Sequence, residues 1–181
     1  MELQYRFRTK PFDHQKKALS QSWNRDSFAY FMEMGTGKSK VLIDNICLLY
    51  LTNKIKGALV VAPKGVYRNW EVEQIPAHLS PLIEDYYVYS WTPSPTIKEK
   101  NKLKELYANG TKNLKIFLMN VEAFSTVKGR KEAERFLQVY PSIFAIDEST
   151  TIKNPKAART KNILKIGQLA KYRRILTGSP V

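Results

Sequence analysis

Two short runs hold the residues best equipped for chemistry. In FMEMGTGKSK (residues 31–40), Gly37, Lys38 and Ser39 complete the second half of the phosphate-binding pattern G-x-x-x-x-G-K-[ST]. Where that pattern wants a first glycine the chain has Met32. Loop residues Met34, Gly35, Thr36 and Gly37 can bring backbone N–H groups close to an anion, since glycine puts no Cβ in the way. Lys38 then reaches the β- and γ-phosphates, and the Ser39 hydroxyl ligates Mg²⁺. The second run, IFAIDEST (143–150), ends an apolar stretch on Asp147 and Glu148. Behind a phosphate loop, Asp147 is expected to hold Mg²⁺, directly or through water, and Glu148 to polarise the attacking water. The expected ligands are a nucleotide with β- and γ-phosphates and Mg²⁺.

These residues need a scaffold that puts both runs at one edge. Apolar runs rich in Val, Ile, Phe and Tyr predict strands at 27–32, 57–63, 84–90, 115–121, 142–148 and 173–179. Helical periodicity predicts helices at 38–51, 66–78, 96–108, 130–139 and 156–170, and Thr96 with Glu99 forms a capping box at one start. Alternation of this kind implies an α/β fold, a mostly parallel β-sheet flanked by helices on both faces. Open sheets of this class hold ligands at the carboxyl ends of their strands, where both runs fall. Residues 1–181 read as one domain, without repeats or a dividing linker.

Composition narrows the function. The formal net charge is +14, from 30 Lys and Arg against 16 Asp and Glu, which points to a polyanionic partner, nucleic acid before membrane. No acidic residue follows Glu148, whereas Lys153, Lys156, Arg159, Lys161, Lys165, Lys171, Arg173 and Arg174 do. The run VLIDNICLLYL is too short and too polar to span a bilayer. With one cysteine and two distant histidines, a disulfide and a His/Cys metal site are not expected, and Cys47 reads as a core residue. Tyr87, Tyr89 and Trp91 alternate along one strand, a pattern expected of a half-buried strand more than of a base-stacking platform.

The ordered motifs resemble the first RecA-like domain of superfamily 2 helicases, specifically the Swi/Snf-like branch of double-stranded-DNA translocases. MEMGTGKSKVLI is similar to that branch's motif I, which does not require the first glycine, and DESTTIKNP to its motif II. VVAPKGVYRNWEVE resembles motif Ia, with Asn69, Trp70 and Glu73 at the branch's positions, and RRILTGSP resembles motif III. KPFDHQKKAL resembles the N-terminal Gln motif, making Gln15 the candidate reader of adenine. The resemblance runs from about Pro11 to Pro180. It departs at Ser149, Thr150 and Thr151, where the branch has Ala-His-Arg. Coupling between the ATP site and motif III would then fall to Thr150 with Thr177 or Ser179, beside Gly178.

The resemblance implies a RecA-like P-loop domain, one lobe of an ATP hydrolase that moves on double-stranded DNA. A second RecA-like lobe, expected to follow Val181 in a longer protein, would supply arginine fingers worth roughly 10³-fold in rate. This lobe alone is therefore expected to bind Mg-ATP weakly and turn it over slowly. Lys64, Gly65 and Arg68 in motif Ia, and Ser125 and Thr126 after the fourth strand, would grip the nucleic-acid backbone. Trp70 reads as a packing residue there. The basic segment from Lys153 to Arg174 would border the DNA channel or dock the second lobe. Two other readings compete: another superfamily 2 motor of restriction or RNA type, and a nucleic-acid-binding module with a vestigial nucleotide site. Compact motif spacing suggests a bacterial or phage protein, cytoplasmic in location, with no membrane partner.

Overall fold

The computed structural model describes residues 4–108, 113–152, 154 and 156–178. Strands β1 (Ser27–Phe31), β2 (Gly57–Ala62), β3 (Tyr86–Ser90), β4 (Leu114–Asn120), β5 (Ser142–Asp147) and β6 (Tyr172–Thr177) form one sheet in the order β1-β6-β5-β2-β4-β3. Every neighbouring pair is parallel. β2, β4 and β5 are buried at every residue, which is why they read as unbroken apolar runs rather than alternating ones. The edge strands β1 and β3 are only partly covered.

Helices pack on both faces. One core joins Leu19 of α1 (Asp13–Ser22), Ile43 and Ile46 of α2 (Lys38–Leu51), and Trp70 and Ile75 to Val60 and Ile116 of the sheet. The other joins Leu106 of α5 (Ile97–Leu106), Phe136 of α6 (Val127–Val139) and Ile163 of α7 (Ala158–Gly167) to Phe117 and Phe144. α2 is buried nearly all round because α1 covers the side that the sheet does not.

The expected elements all form, with informative differences. α1 lies in a segment too polar to show a helical stripe; Gln15, Leu19 and Ser22 are its buried residues. α5 starts at the expected capping box, where Thr96 N donates to Glu99 Oε2 (2.7 Å) and Glu99 N donates to Thr96 Oγ1. α6 begins earlier than expected because Thr126 caps it, its Oγ1 accepting from Gly129 N at 3.0 Å.

The helix expected at 66–78 is interrupted. α3 (Tyr67–Asn69) and α4 (Ile75–His78) flank a π turn, Trp70–Gln74, in which Ile75 N–H reaches back five residues to the Trp70 carbonyl. Pro76 is the physical cause, since it has no N–H to donate and its ring crowds the preceding turn. A wider turn accommodates both.

Cys47 is buried and its Sγ accepts from Ser80 N–H; desolvation pushes the thiol up to about 12, as suits a core residue. Tyr89 and Trp91 are buried too, and the Tyr87 hydroxyl donates to the Lys102 carbonyl, so these aromatics pack rather than offer a stacking platform. The basic segment divides. Lys171 Nζ donates to the Lys54 carbonyl and Arg173 to Ser27 Oγ, both at the amino end of β6 and opposite the carboxyl edge that carries GTGKS and Asp147-Glu148. Arg174 borders neither a channel nor another lobe: it is 1% exposed, and its guanidinium donates to Asn45 Oδ1 and to the Ser22 and Arg173 carbonyls. Among the described residues no helix is long and apolar enough to cross a membrane.

Candidate nucleotide site and nucleic-acid interface

Strand order decides what meets at the carboxyl edge. β1, β6 and β5 are neighbours, so the loop after Phe31, the pair Thr177–Gly178 and the pair Asp147–Glu148 come together. The loop and the Asp147–Glu148 pair border a cleft of about 330 Å³ lined by Met34, Gly35, Gly37, Lys38, Ser39, Asp147 and Glu148 together with Val66 and Gln74.

The loop has the conformation a phosphate cradle needs. Gly35 (φ +77°) and Gly37 (φ +80°) are both left-handed, a region that side chains with a Cβ enter only at a cost. Thr36 closes the turn by donating Oγ1 to the Glu33 carbonyl at 2.6 Å. Lys38 begins α2, and the first N–H groups of that helix have no carbonyl within the helix to meet. They and the helix dipole favour an anion there. Lys38 Nζ folds back onto the Met32 and Glu33 carbonyls at 3.0 and 3.1 Å, so the ammonium already lies inside the cradle.

Gln15 is tied to this loop. Its Oε1 accepts from Phe12 N–H (2.9 Å) and its Nε2 donates to the Thr36 carbonyl (3.0 Å), leaving one amide hydrogen uncommitted by these two bonds. The fit is close, since a Cβ on Gly37 would stand 2.3 Å from Gln15 Nε2. Gly178 presses on the opposite side, where an added Cβ would meet Met34 Cγ at 3.0 Å and Lys38 Nζ at 3.5 Å. The Thr177 carbonyl accepts from Met32 N–H, which joins β6 to the loop. Thr150 lies in a 3₁₀ turn (Ser149–Ile152) packed on β6, and Ser179 is outside the described residues.

Asp147 is buried and its carboxylate is held by the Trp70 indole, Nε1 to Oδ2 at 3.0 Å, and by the Glu148 backbone N–H. Desolvation raises its pKa above the ordinary carboxylate value, while the Trp70 bond and the Lys38 charge pull the other way. Glu148 is a non-glycine residue at φ +52°, a strained conformation of the kind that collects at functional sites. The Trp70 contact could not be read from spacing, because its partners lie 77 residues apart; the one hint was the tryptophan's place in the motif.

A second cleft, of about 270 Å³, lies further along the same edge, beyond the ends of β2, β3 and β4. Lys64, Arg68 and Thr126 line it together with Asn120 and Trp91. Lys64, Gly65 and Arg68 are exposed. Arg68 leans on Tyr67, whose hydroxyl donates to the Trp91 carbonyl. Thr126 gives its single proton to the Ala123 carbonyl at 2.8 Å, so of the two expected hydroxyl donors the exposed Ser125 is the one that can turn outward.

A parallel α/β domain with a phosphate loop beside an Asp-Glu pair defines a P-loop nucleotide-binding fold of RecA type. Across residues 14–181 the sequence matches the SNF2-related domain, and the chain belongs to that family. Among curated proteins it is 28% identical over 155 residues to the SNF2 domain-containing protein ENL1 of Oryza sativa subsp. japonica, covering 82% of this chain and 15% of that one. It is 25% identical over 179 residues to Protein CHROMATIN REMODELING 24 of Arabidopsis thaliana, covering 94% and 16%. The Sulfolobus solfataricus SWI2/SNF2 ATPase core in complex with dsDNA shares the fold at a TM-score of 0.66 and 19% identity, over 97% of this chain and 33% of that one. The UvsW helicase of bacteriophage T4 does so at 0.65 and 14%, over 94% and 53%. The chain thus spans less than a fifth of the two plant relatives and a third of the Sulfolobus core.

Proposed function

We propose that this chain is the nucleotide-binding lobe of a DNA-dependent ATPase that couples ATP hydrolysis to movement along duplex DNA. One observation carries it: Lys38 and Ser39 face Asp147 and Glu148 across one cleft, and the Lys64–Arg68 cleft lies beside it on the same sheet edge. Family membership supports the same assignment.

Magnesium is commonly held by one or two carboxylates together with substrate phosphates, and the donor set of Asp147 with the Ser39 hydroxyl fits that habit. When bound, the ion offsets charge on the β- and γ-phosphates. The chain's own residues do the rest. Lys38 exchanges its two carbonyl partners for phosphate oxygens. The Glu148 carboxylate, aimed by its strained backbone, accepts a hydrogen bond from the attacking water. Gln15 holds the loop and offers its remaining amide hydrogen to the adenine. A Cβ added at Gly178 would meet Met34 and Lys38, so Gly178 lies close against the cradle and motion of β6, with Thr150 packed on it and Thr177 in it, would reach the phosphate loop. Lys64, the N–H of Gly65, Arg68 and Ser125, with Thr126 supporting the loop, bind DNA phosphates, which favours affinity without sequence preference. A second RecA-like lobe closes the nucleotide cleft and completes the catalytic site.

The test pairs binding with turnover. ADP should bind the wild-type chain in Mg²⁺ and bind Lys38→Ala far more weakly. ATP turnover by the two-lobed form should rise with duplex DNA and vanish in Lys38→Ala. Nucleotide binding indifferent to Lys38→Ala sinks the proposal.

A further inference from the structure

We propose that Trp70 is a positioning residue for the Asp147 carboxylate and that it carries contact at the DNA cleft to the nucleotide cleft; this rests on the function proposed for those two clefts. The indole is 1% exposed, and core packing alone would explain its burial. Packing does not explain where its only hydrogen goes: Nε1–H donates to Asp147 Oδ2 at 3.0 Å, in a bond that is buried. The acceptor is the carboxylate that fits a metal ion, so the indole fixes which oxygen turns into the cleft. Outer partners of this kind orient metal-holding groups and sustain their affinity.

The helical segment that supplies Trp70 touches both clefts. Lys64, Tyr67 and Arg68 line the basic cleft, while Val66 and Gln74 line the nucleotide cleft. The π turn accounts for the place of Gln74. It inserts one residue into the helix, which at 3.6 residues per turn rotates the later residues by roughly 100°. Trp70 and Ile75, five apart rather than four, therefore enter the same core, and Gln74 is left at the cleft wall. Arg68 stands two residues before Trp70 on this short segment. A phosphate that draws Arg68 outward strains the Tyr67–Trp91 bond and shifts the indole, and a buried bond from a single donor has little room to slide. Engagement of DNA is thereby felt at Asp147 without any movement of the phosphate loop.

The test removes the N–H and keeps the ring. Trp70 is replaced by β-(3-benzothienyl)alanine, which has sulfur in place of the indole N–H, and in parallel by phenylalanine (W70F). Calorimetry gives the ADP dissociation constant in Mg²⁺ and in EDTA, each with and without a duplex oligonucleotide. In ¹⁵N-tryptophan-labelled wild-type chain, the Trp70 indole N–H signal should move on addition of Mg²⁺·ADP and, separately, of duplex. The isostere should melt roughly 2–4 °C below the wild type, as the loss of one buried hydrogen bond requires, keep the EDTA affinity, lose roughly tenfold of the affinity gained from Mg²⁺, and no longer respond to duplex. A full Mg²⁺ gain in the isostere overturns the positioning role. A duplex effect that survives in it overturns the coupling. Absence of Mg²⁺-dependent ADP binding in the wild type overturns the function proposed for the cleft, and the positioning role with it.

Discussion

Replacing Arg174 by methionine separates a structural cation from a nucleic-acid contact. The guanidinium is buried and donates to three neutral oxygens: Asn45 Oδ1 at 2.8 Å, the Ser22 carbonyl at 2.8 Å and the Arg173 carbonyl at 2.7 Å. It thereby ties the end of α1 and the middle of α2 to β6. Burial lowers its pKa, a sign that the charge is held at a cost and depends on these acceptors. Methionine fills much of the volume but leaves the three oxygens without that donor. At roughly 1 kcal/mol net for each, the loss is about 3 kcal/mol. For a domain of this length each kcal/mol moves the melting temperature by about 2–4 °C, so the midpoint should fall by roughly 6–12 °C. The assay is a thermal melt by circular dichroism, beside a salt series of duplex-binding isotherms. Arg174→Met should leave the slope of log affinity against log salt unchanged, because no phosphate contact has been lost. An unchanged melting temperature with a slope shallower by about 0.9 would refute the reasoning and return Arg174 to the DNA face.

The same geometry sets three further outcomes. Gly37→Ala meets both a left-handed φ and the Gln15 amide, so about 1–2 kcal/mol of loop strain should weaken ADP binding roughly 5–30-fold; Gly35→Ala, whose Cβ meets nothing within 4 Å, should lose less in the same titration. Asp147 has a folded-state pKa above its unfolded one, so the folded state holds more protons between the two values and stability falls as pH rises through that window. Asp147→Asn should therefore melt above the wild type at pH 7, with the gap closing as pH drops through the carboxylate range, and should lose Mg²⁺-dependent nucleotide binding. Arg68→Ala should make the salt dependence of duplex binding shallower by about 0.9 and leave ADP binding in EDTA unchanged.

How far the sequence disclosed the structure depends on the range of the forces involved. β2, β4 and β5 are legible because burial on both faces demands continuous apolar residues, and GTGKS and Asp147-Glu148 because their neighbours in sequence are their neighbours in space. α1 stayed hidden because most of its surface is polar and its buried face includes Gln15 and Ser22. The π turn depends on one proline acting on the turn before it, a backbone effect without an apolar signature. The Trp70–Asp147 bond and the burial of Arg174 rest on partners 77 and 129 residues away. Charge counting put Arg174 with the exposed cations, but only tertiary structure could show which side of the sheet each cation faces.

The order of strands also has a consequence for how the protein is made. β1, which holds the phosphate loop, lies at the edge of the sheet and pairs with β6, whose Arg173 stands 146 residues later, opposite Ser27. A ribosome adding about 5–20 residues per second needs on the order of ten seconds or more to cover that distance. Within that time β2, β4 and β3 can zip together while β1 waits without its neighbour. The cradle is thus synthesised early and seated late, and a nascent chain cannot grip nucleotide in its native geometry until nearly the whole domain has emerged.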